Sequence, residues 1–259
     1  MSDVLLRSTE AGVLTLKLNR PKSYNAFTRD LALQLQDALD HAHHSAEVRA
    51  VVLTGSGKAF SAGQDLGELV GEDAPPMGQI LKEHFNPVVA KIRACDKPVV
   101  AAVNGVAAGA GANIAIACDI VLAAASASFI QAFAKIGLIP DSGGTWTLPR
   151  IVGWQKASAL MLTADKLGAA EAERLGMVYR VVPDDALADE AHTLARRLAQ
   201  MPTRALALTK QALEASSGHS FTEQLAEEDR LQNIAARTAD YAEGVDAFLA
   251  KRSPTFRGA

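Results

Sequence analysis

Asp141 lies in the run Ile136-Gly-Leu-Ile-Pro-Asp-Ser-Gly-Gly-Thr-Trp-Thr-Leu-Pro-Arg150, a lone carboxylate held between a proline and a glycine pair. A carboxylate so placed can take a proton from a bound substrate and return it. A second segment, Val99-Val-Ala-Ala-Val-Asn-Gly-Val-Ala-Ala-Gly-Ala-Gly-Ala-Asn113, reads as a buried strand, a turn of small residues and a helix. The first N–H groups of such a helix have no partner within it and can receive a substrate oxygen. In Phe60-Ser-Ala-Gly-Gln-Asp-Leu66 a tight turn after another strand can point the N–H near Gln64 outward. Two donors aimed at one carbonyl oxygen stabilise an enolate, each lowering the barrier by roughly 3 kcal/mol. Taken singly, each glycine turn is also what ordinary backbone geometry requires, and Asp141 could equally cap the helix after Gly143-Gly144.

The elements that must position these groups follow from hydrophobic spacing. Val4–Thr9 and the alternating Val13–Leu18 read as a hairpin turning at Glu10-Ala-Gly12. After a polar loop, Asn19 to Phe27, Thr28 can cap a helix that places Leu31, Leu35, Ala38, Leu39 and Ala42 on one face. A buried strand spans Arg49–Thr54, and Gly71-Glu-Asp-Ala-Pro-Pro-Met-Gly78 leads into a helix ending near Cys95. Strands at Val99–Val103 and Ile120–Ala124 flank the helix beginning near Gly109, giving the alternation of a parallel α/β architecture. Beyond Gly153 the pattern is helical, with one extended stretch at Val178–Val182 and charged helices from Leu206 to Ala250. No fixed-period repeat stands out.

The 259 residues, 49% hydrophobic, suffice for one large domain or a core with an appended helical region. A net charge of -3 with both signs interspersed provides neither a basic stripe for nucleic acid nor a polybasic face for a membrane. The Ala-rich run at 99–118 is broken by Asn104 and glycines, so it reads as packed core rather than a membrane span. Met-Ser-Asp-Val lacks the features of a signal peptide, and Cys95 and Cys118 match no metal pattern, so a reduced, cytoplasmic enzyme is expected. His41, His43 and His44 sit at a helix end without a carboxylate or cysteine to complete a metal site; solvation or C-capping accounts for them.

Three common motifs fail. After Gly109-Ala-Gly111 the third glycine of a dinucleotide fingerprint would fall on Ile114, and Gly55-Ser-Gly-Lys58 lacks the spacing and hydroxyl of a phosphate loop. Ser142 has Pro140 where a nucleophile elbow needs glycine.

Asn19-Arg-Pro21, Asn25-Ala-Phe27, Phe60-Ser-Ala-Gly-Gln-Asp65, Ala102-Val-Asn-Gly105 and Phe248-Leu-Ala-Lys-Arg252 together resemble the crotonase, or enoyl-CoA hydratase/isomerase, superfamily over essentially the whole length. The resemblance implies an α/β fold of stacked ββα units (residues 1–198) with a C-terminal helical oligomerisation region (199–259). It also implies a homotrimer or dimer of trimers, an acyl-CoA substrate whose coenzyme A is the only cofactor-like group, and a partner enoyl-CoA hydratase.

Carried over by position, the oxyanion-hole donors are the N–H groups of Gln64 and Ala110, the latter usually glycine. Lys22, Tyr24, Ala62, Asp65 and Leu66 would meet coenzyme A, with Phe248 and Lys251 reaching its adenine end across a subunit boundary. The two glutamates with which related hydratases handle water fall on Asn113 and Phe133, and neither is a base, so simple hydration is not expected. Asp141 matches a position that is Asp in several isomerases of the superfamily. Ala132–Arg150 is most similar to those that convert a ring-epoxide acyl-CoA to the oxepin. The expected function is therefore acyl-CoA isomerisation with Asp141 as proton shuttle, set against a Δ3,Δ2-enoyl-CoA isomerase, an aryl-CoA dehalogenase with Asp141 as nucleophile, or a non-catalytic CoA-binding scaffold. Phe85, Phe133 and Trp146 are candidates for an apolar acyl pocket, and His84 for a second acid or base.

Overall fold

The computed structural model describes residues 3–71 and 74–258. Met1, Ser2, Glu72, Asp73 and Ala259 lie outside the described residues, and with them part of the 71–78 stretch considered above.

The N-terminal hairpin forms as its alternation predicts, pairing β1 (Leu5–Glu10) with β2 (Val13–Leu18). Ala11 and Gly12 turn it, both at positive φ, as a two-residue hairpin turn requires. Thr28 caps α1 (Arg29–His44) through its side-chain oxygen, which accepts the Leu31 N–H at 3.3 Å, and the five apolar residues of its stripe are buried. His43 Nδ1 accepts the Asp96 N–H at 3.2 Å, and His44 Nδ1 lies 2.8 Å from the Asp40 carbonyl. His43 and His44 therefore both engage backbone groups.

From Ala50 onward the chain repeats a strand pair. β3 (Ala50–Gly55) is followed by β4 (Ala59–Ser61), β5 (Val99–Val103) by β6 (Val106–Ala108), and β7 (Ile120–Ala124) by β8 (Ser128–Ile130). The first members pair in parallel within a six-stranded sheet, ordered β1-β2-β3-β5-β7-β10 with β10 at Arg180–Val182. The second members pair in parallel within a smaller sheet, β4-β6-β8-β9, with β9 at Lys166–Gly168. β3 and β5 are buried on both faces, hence their continuous apolar runs.

The turn between β4 and β5 holds α2 (Met77–Ile80), a π-helical turn at Leu81–Phe85 and α3 (Asn86–Ala94), where the sequence suggests a single helix. The π turn leaves carbonyls misaligned, and the Gln36 side chain donates to those of Glu83 (2.7 Å) and His84 (3.2 Å). The turn between β6 and β7 holds α4 (Ala110–Ala117), buried on every side. After β8 come α5 (Gly144–Val152), α6 (Trp154–Thr163), α7 (Ala169–Arg174) and α8 (Leu187–Ala199), whose face of Leu187, Ala191, Leu194 and Ala195 is buried. α8 ends beside the expected boundary at 198/199, and α9 (Thr203–Ser216), α10 (Phe221–Ala235) and α11 (Ala239–Leu249) follow.

The final residues fold back on Arg49, just before β3. Its guanidinium donates to Thr203 Oγ1 (2.9 Å), the Phe256 carbonyl (2.8 Å) and the Met201 carbonyl (2.7 Å). The Asp240 carboxylate accepts the N–H groups of Arg257 and Gly258, both at 2.7 Å. Arg49→Ala removes three charge-assisted bonds at once. It is expected to cost about 2–4 kcal/mol and to expose the tail to limited proteolysis before global unfolding. A variant cut no faster than wild type would show the tail to be held elsewhere.

Candidate functional site

β4, β6 and β8 run parallel as neighbours, so the loops leaving their C-terminal ends gather at one edge of the small sheet. The first carries Gln64, the second Ala110, and the third Phe133 and Asp141.

Phe27 fixes the first loop. It forms a parallel bridge with Gln64, donating to the Gly63 carbonyl (2.7 Å) and accepting from the Asp65 N–H (2.9 Å). Bonding to both neighbours turns the N–H of Gln64 itself away from Phe27. Gly63, at φ 86°, presses against the second loop: a Cβ there would lie 3.2 Å from Ala110 N and 2.8 Å from the Ala108 carbonyl. Ala110 is the first residue of α4, so its N–H has no acceptor within the helix. Among the described residues neither N–H is taken up by a backbone hydrogen bond. The two free donors thus sit in adjoining loops at the mouth of a helix N-terminus, where they can polarise one carbonyl oxygen.

Asp141 leads into a turn in which Ser142 and Gly143 are both left-handed, at φ 51° and 71°. Ser142 Oγ donates to Asp141 Oδ1 at 2.7 Å. Burial raises the affinity of this carboxyl for its proton above that of an ordinary aspartate, against the lowering by the Ser142 bond. Its backbone is tied to α4, because Asn113 Nδ2 donates to the Asp141 carbonyl at 2.8 Å. Asn113 and Ala110 are three residues apart on that helix, so Asp141 is anchored about 5 Å along α4 from the Ala110 donor. Phe133 is buried, and its ring tip would lie 3.8 Å from a Cβ on Gly109. It therefore fills space beside the donors, at a position where a carboxylate would sit against apolar surroundings.

A second face surrounds the first loop. Buried Asn25 bolts it in place, its carboxamide donating to the carbonyls of Ser56 (2.9 Å) and Ala59 (2.7 Å) and accepting from the Arg20 N–H (2.9 Å). Tyr24 O accepts the Ala62 N–H at 2.9 Å. Lys22, Tyr24, Ala62 and Leu66 consequently stand exposed around one edge, open to a long ligand. Asp65 offers only its backbone. Its carboxylate pairs with Arg20 at 2.7 Å and caps the Gly67 N–H, and the Arg20 bond holds it below the usual carboxylate range.

Other expected site residues lie elsewhere. Phe248 and Lys251 are exposed at the end of α11, on the segment clamped to Arg49 at the start of β3. The Gln64 loop follows the other end of β3, about 20 Å away along the strand, so within one chain they do not join the site. Trp146 faces a cavity of ≈ 760 Å³ lined by α9, and its ring is held by Arg93 (4.9 Å) and Arg150 (4.1 Å). Phe85 is 1% exposed and stacks on Phe27 at 5.8 Å, supporting the first loop from beneath. His84 is buried with Nδ1 unpartnered, and burial lowers its proton affinity, favouring the neutral ring. Sequence reasoning missed Arg20, Asn25 and Gln131 as members of the scaffold. For Asn25 the signal is the polar side chain inside an otherwise loop-like Asn19–Phe27.

Among the described residues no helix is long and apolar enough to cross a membrane. The model of the enoyl-CoA hydratase/isomerase family matches residues 8–259. The 1,2-epoxyphenylacetyl-CoA isomerase of Escherichia coli (strain K12) is 46% identical over 261 residues, covering 100% of both chains. A probable enoyl-CoA hydratase of Rhodobacter capsulatus is also 46% identical, over 95% of both. The crystal structure of an enoyl-CoA hydratase/isomerase from Mycobacterium abscessus superposes with a TM-score of 0.93 at 37% identity, covering 98% of this chain and 100% of that one. In sequence and in fold, the chain belongs to the enoyl-CoA hydratase/isomerase family.

Proposed function

We propose that this protein isomerises acyl-CoA thioesters, with 2-(1,2-epoxy-1,2-dihydrophenyl)acetyl-CoA as substrate and the oxepin as product. The observation that carries the reading is the half-buried Asp141 anchored beside the free Ala110 N–H, while Asn113 and Phe133 occupy the positions where related hydratases would carry carboxylates. The Gln64 and Ala110 N–H groups hold the thioester oxygen. Asp141 takes the proton from the carbon α to the thioester, the C–H electron pair passing into the enolate. As the electrons return, Asp141 delivers the same proton to a ring carbon, and the C–C bond shared by the epoxide and the six-membered ring opens, its electron pair passing into the ring double bonds so that the oxygen joins a seven-membered ring. One base serves both transfers and no oxidant is needed. The likeness to the Escherichia coli isomerase supports the ring-epoxide substrate, and the isomerase and hydratase names among relatives make product analysis the deciding measurement.

Coenzyme A enters as part of the substrate, against Lys22, Tyr24, Ala62, Leu66 and the Asp65 backbone. Exposed Phe248 and Leu249 favour a homotrimer or dimer of trimers in which α11 of one subunit reaches the adenine end of a neighbour's ligand. The two cysteines, free and buried, suit a cytoplasmic setting.

The test is incubation of the epoxide thioester in D2O. Oxepin formation with little deuterium at the newly protonated ring carbon is expected, because Asp141 carries the substrate's own proton across. Hydration of crotonyl-CoA at a comparable rate, or halide release from a halobenzoyl-CoA, would replace the reading by hydratase or dehalogenase. Lys251→Ala should raise KM for acyl-CoA several-fold at low salt with little change in kcat, since a remote phosphate contact adds uniform binding. An unchanged KM would limit the tail to packing.

A further inference from the structure

Resting on the isomerase reading, we infer that Asn113 and Gln131 are positioning residues that set Asp141 at its working height: the position at which related hydratases would hold a base has become a strut for the base that replaces it. The carboxamide of Asn113 is 1% exposed and engaged at both ends. Nδ2 donates to the Asp141 carbonyl at 2.8 Å, and Oδ1 accepts from Gln131 Nε2 at 2.8 Å. Gln131 follows β8 and is itself 3% exposed, so the chain of bonds runs from the small sheet through α4 to the catalytic turn without reaching solvent.

The surrounding backbone is shaped to this contact. A Cβ on Gly144 would lie within 2.6 Å of Asn113 Oδ1 and overlap the rest of its carboxamide. Glycine at the start of α5 is therefore what lets the Asp141 turn close onto the amide. The Gly144 N–H also bonds the Asp141 carbonyl at 2.8 Å, so that carbonyl receives two donors and is fixed in direction. Ser142 bonds the carboxylate but shares the left-handed turn and moves with it, leaving Asn113 as the tie to the rest of the molecule. The direction of bonding also specifies the residue. The amide gives a proton to Asp141 O while accepting one from Gln131; an ionised carboxylate here would set oxygen against oxygen. Displacements of about 1 Å in such a site lose on the order of a hundredfold in rate.

Asn113→Ala is expected to keep KM for acyl-CoA within about threefold and to lose about thirtyfold in kcat. Its acid limb should move down toward the ordinary carboxylate range as the loosened turn admits water to Asp141. Gln131→Leu, which leaves Asn113 in place without its orienting donor, should lose about tenfold with a shift in the same direction. The double variant should lose no more than Asn113→Ala alone, because the two act through one chain of bonds. Wild-type kcat and pH profile in Asn113→Ala, or additive losses in the double variant, would overturn the inference. If Asn113→Ala does not fold, an unchanged profile in Gln131→Leu overturns it equally. Asp141→Asn, assayed alongside, separates the two claims: an active Asp141→Asn sinks the reaction itself, whereas an inactive one beside an active Asn113→Ala sinks only the strut.

Discussion

Asp141→Asn is expected to lose about a thousandfold in kcat while binding acyl-CoA as the wild type does, because the amide keeps the shape of the side chain and cannot accept the proton. The fold should gain from the same change. Burial raises the proton affinity of Asp141 in the folded state, so folding favours the neutral form and the ionised one is held at a cost. That cost is absent below the unfolded carboxyl's value, about pH 4, and fully present above the raised folded value. The variant should therefore melt above the wild type at pH 7, with the difference closing in acid. Thermal scans at the two pH values, read beside turnover, distinguish a base from a cap: a cap would lower the melting temperature at both, and activity within threefold of wild type would remove Asp141 from the mechanism.

Asn113→Glu combined with Phe133→Glu should lower isomerisation about a hundredfold and yield only trace hydration of crotonyl-CoA. The first change replaces the amide proton held by the Asp141 carbonyl at 2.8 Å with an oxygen, in the space Gly144 leaves. The second puts a charge where a buried phenyl ring stood. Three carboxyls would then share one half-dry cavity, each raising the proton affinity of the others. Negative charge also disfavours an enolate beside it. Two acids at family positions do not by themselves seat a water molecule between them and the substrate. Robust hydration by this variant would mean that the residues at 113 and 133 alone decide the reaction.

Much of this architecture is legible in the sequence because it is periodic. The β1–β2 hairpin, the Thr28-capped stripe of α1 and the buried runs of β3 and β5 each extend far enough for alternation or helical spacing to declare them. β4, β6, β8 and β9 have three residues each, fewer than a period needs to show itself. The repeat of strand pairs is hidden for another reason: its turns differ in length, with four helical pieces between β4 and β5, counting a 3-10 turn at Leu66–Leu69, and only α4 between β6 and β7. At the site, Asp141, Gln64 and Ala110 announce themselves by their glycine and proline neighbours. The bond from Gln131 through Asn113 to Asp141 joins three separate segments, and nothing local to any of them signals it. Trp146 gives no such signal, because the face it presents depends on where α9 comes to lie.

The uneven turns bear on how such an enzyme can diverge. Both N–H donors and Asp141 stand on segments anchored to the small sheet or to α4, whereas Gly67 to Ala94, most of the excursion between β4 and β5, supplies none of them. Insertions and deletions in that excursion leave the registers of β3 with β5 and of β4 with β6 untouched. Length changes ahead of buried Ile80 and Phe85 can therefore occur without moving these groups. The two N–H donors and Asp141, held by the other turns, tolerate no such change in spacing.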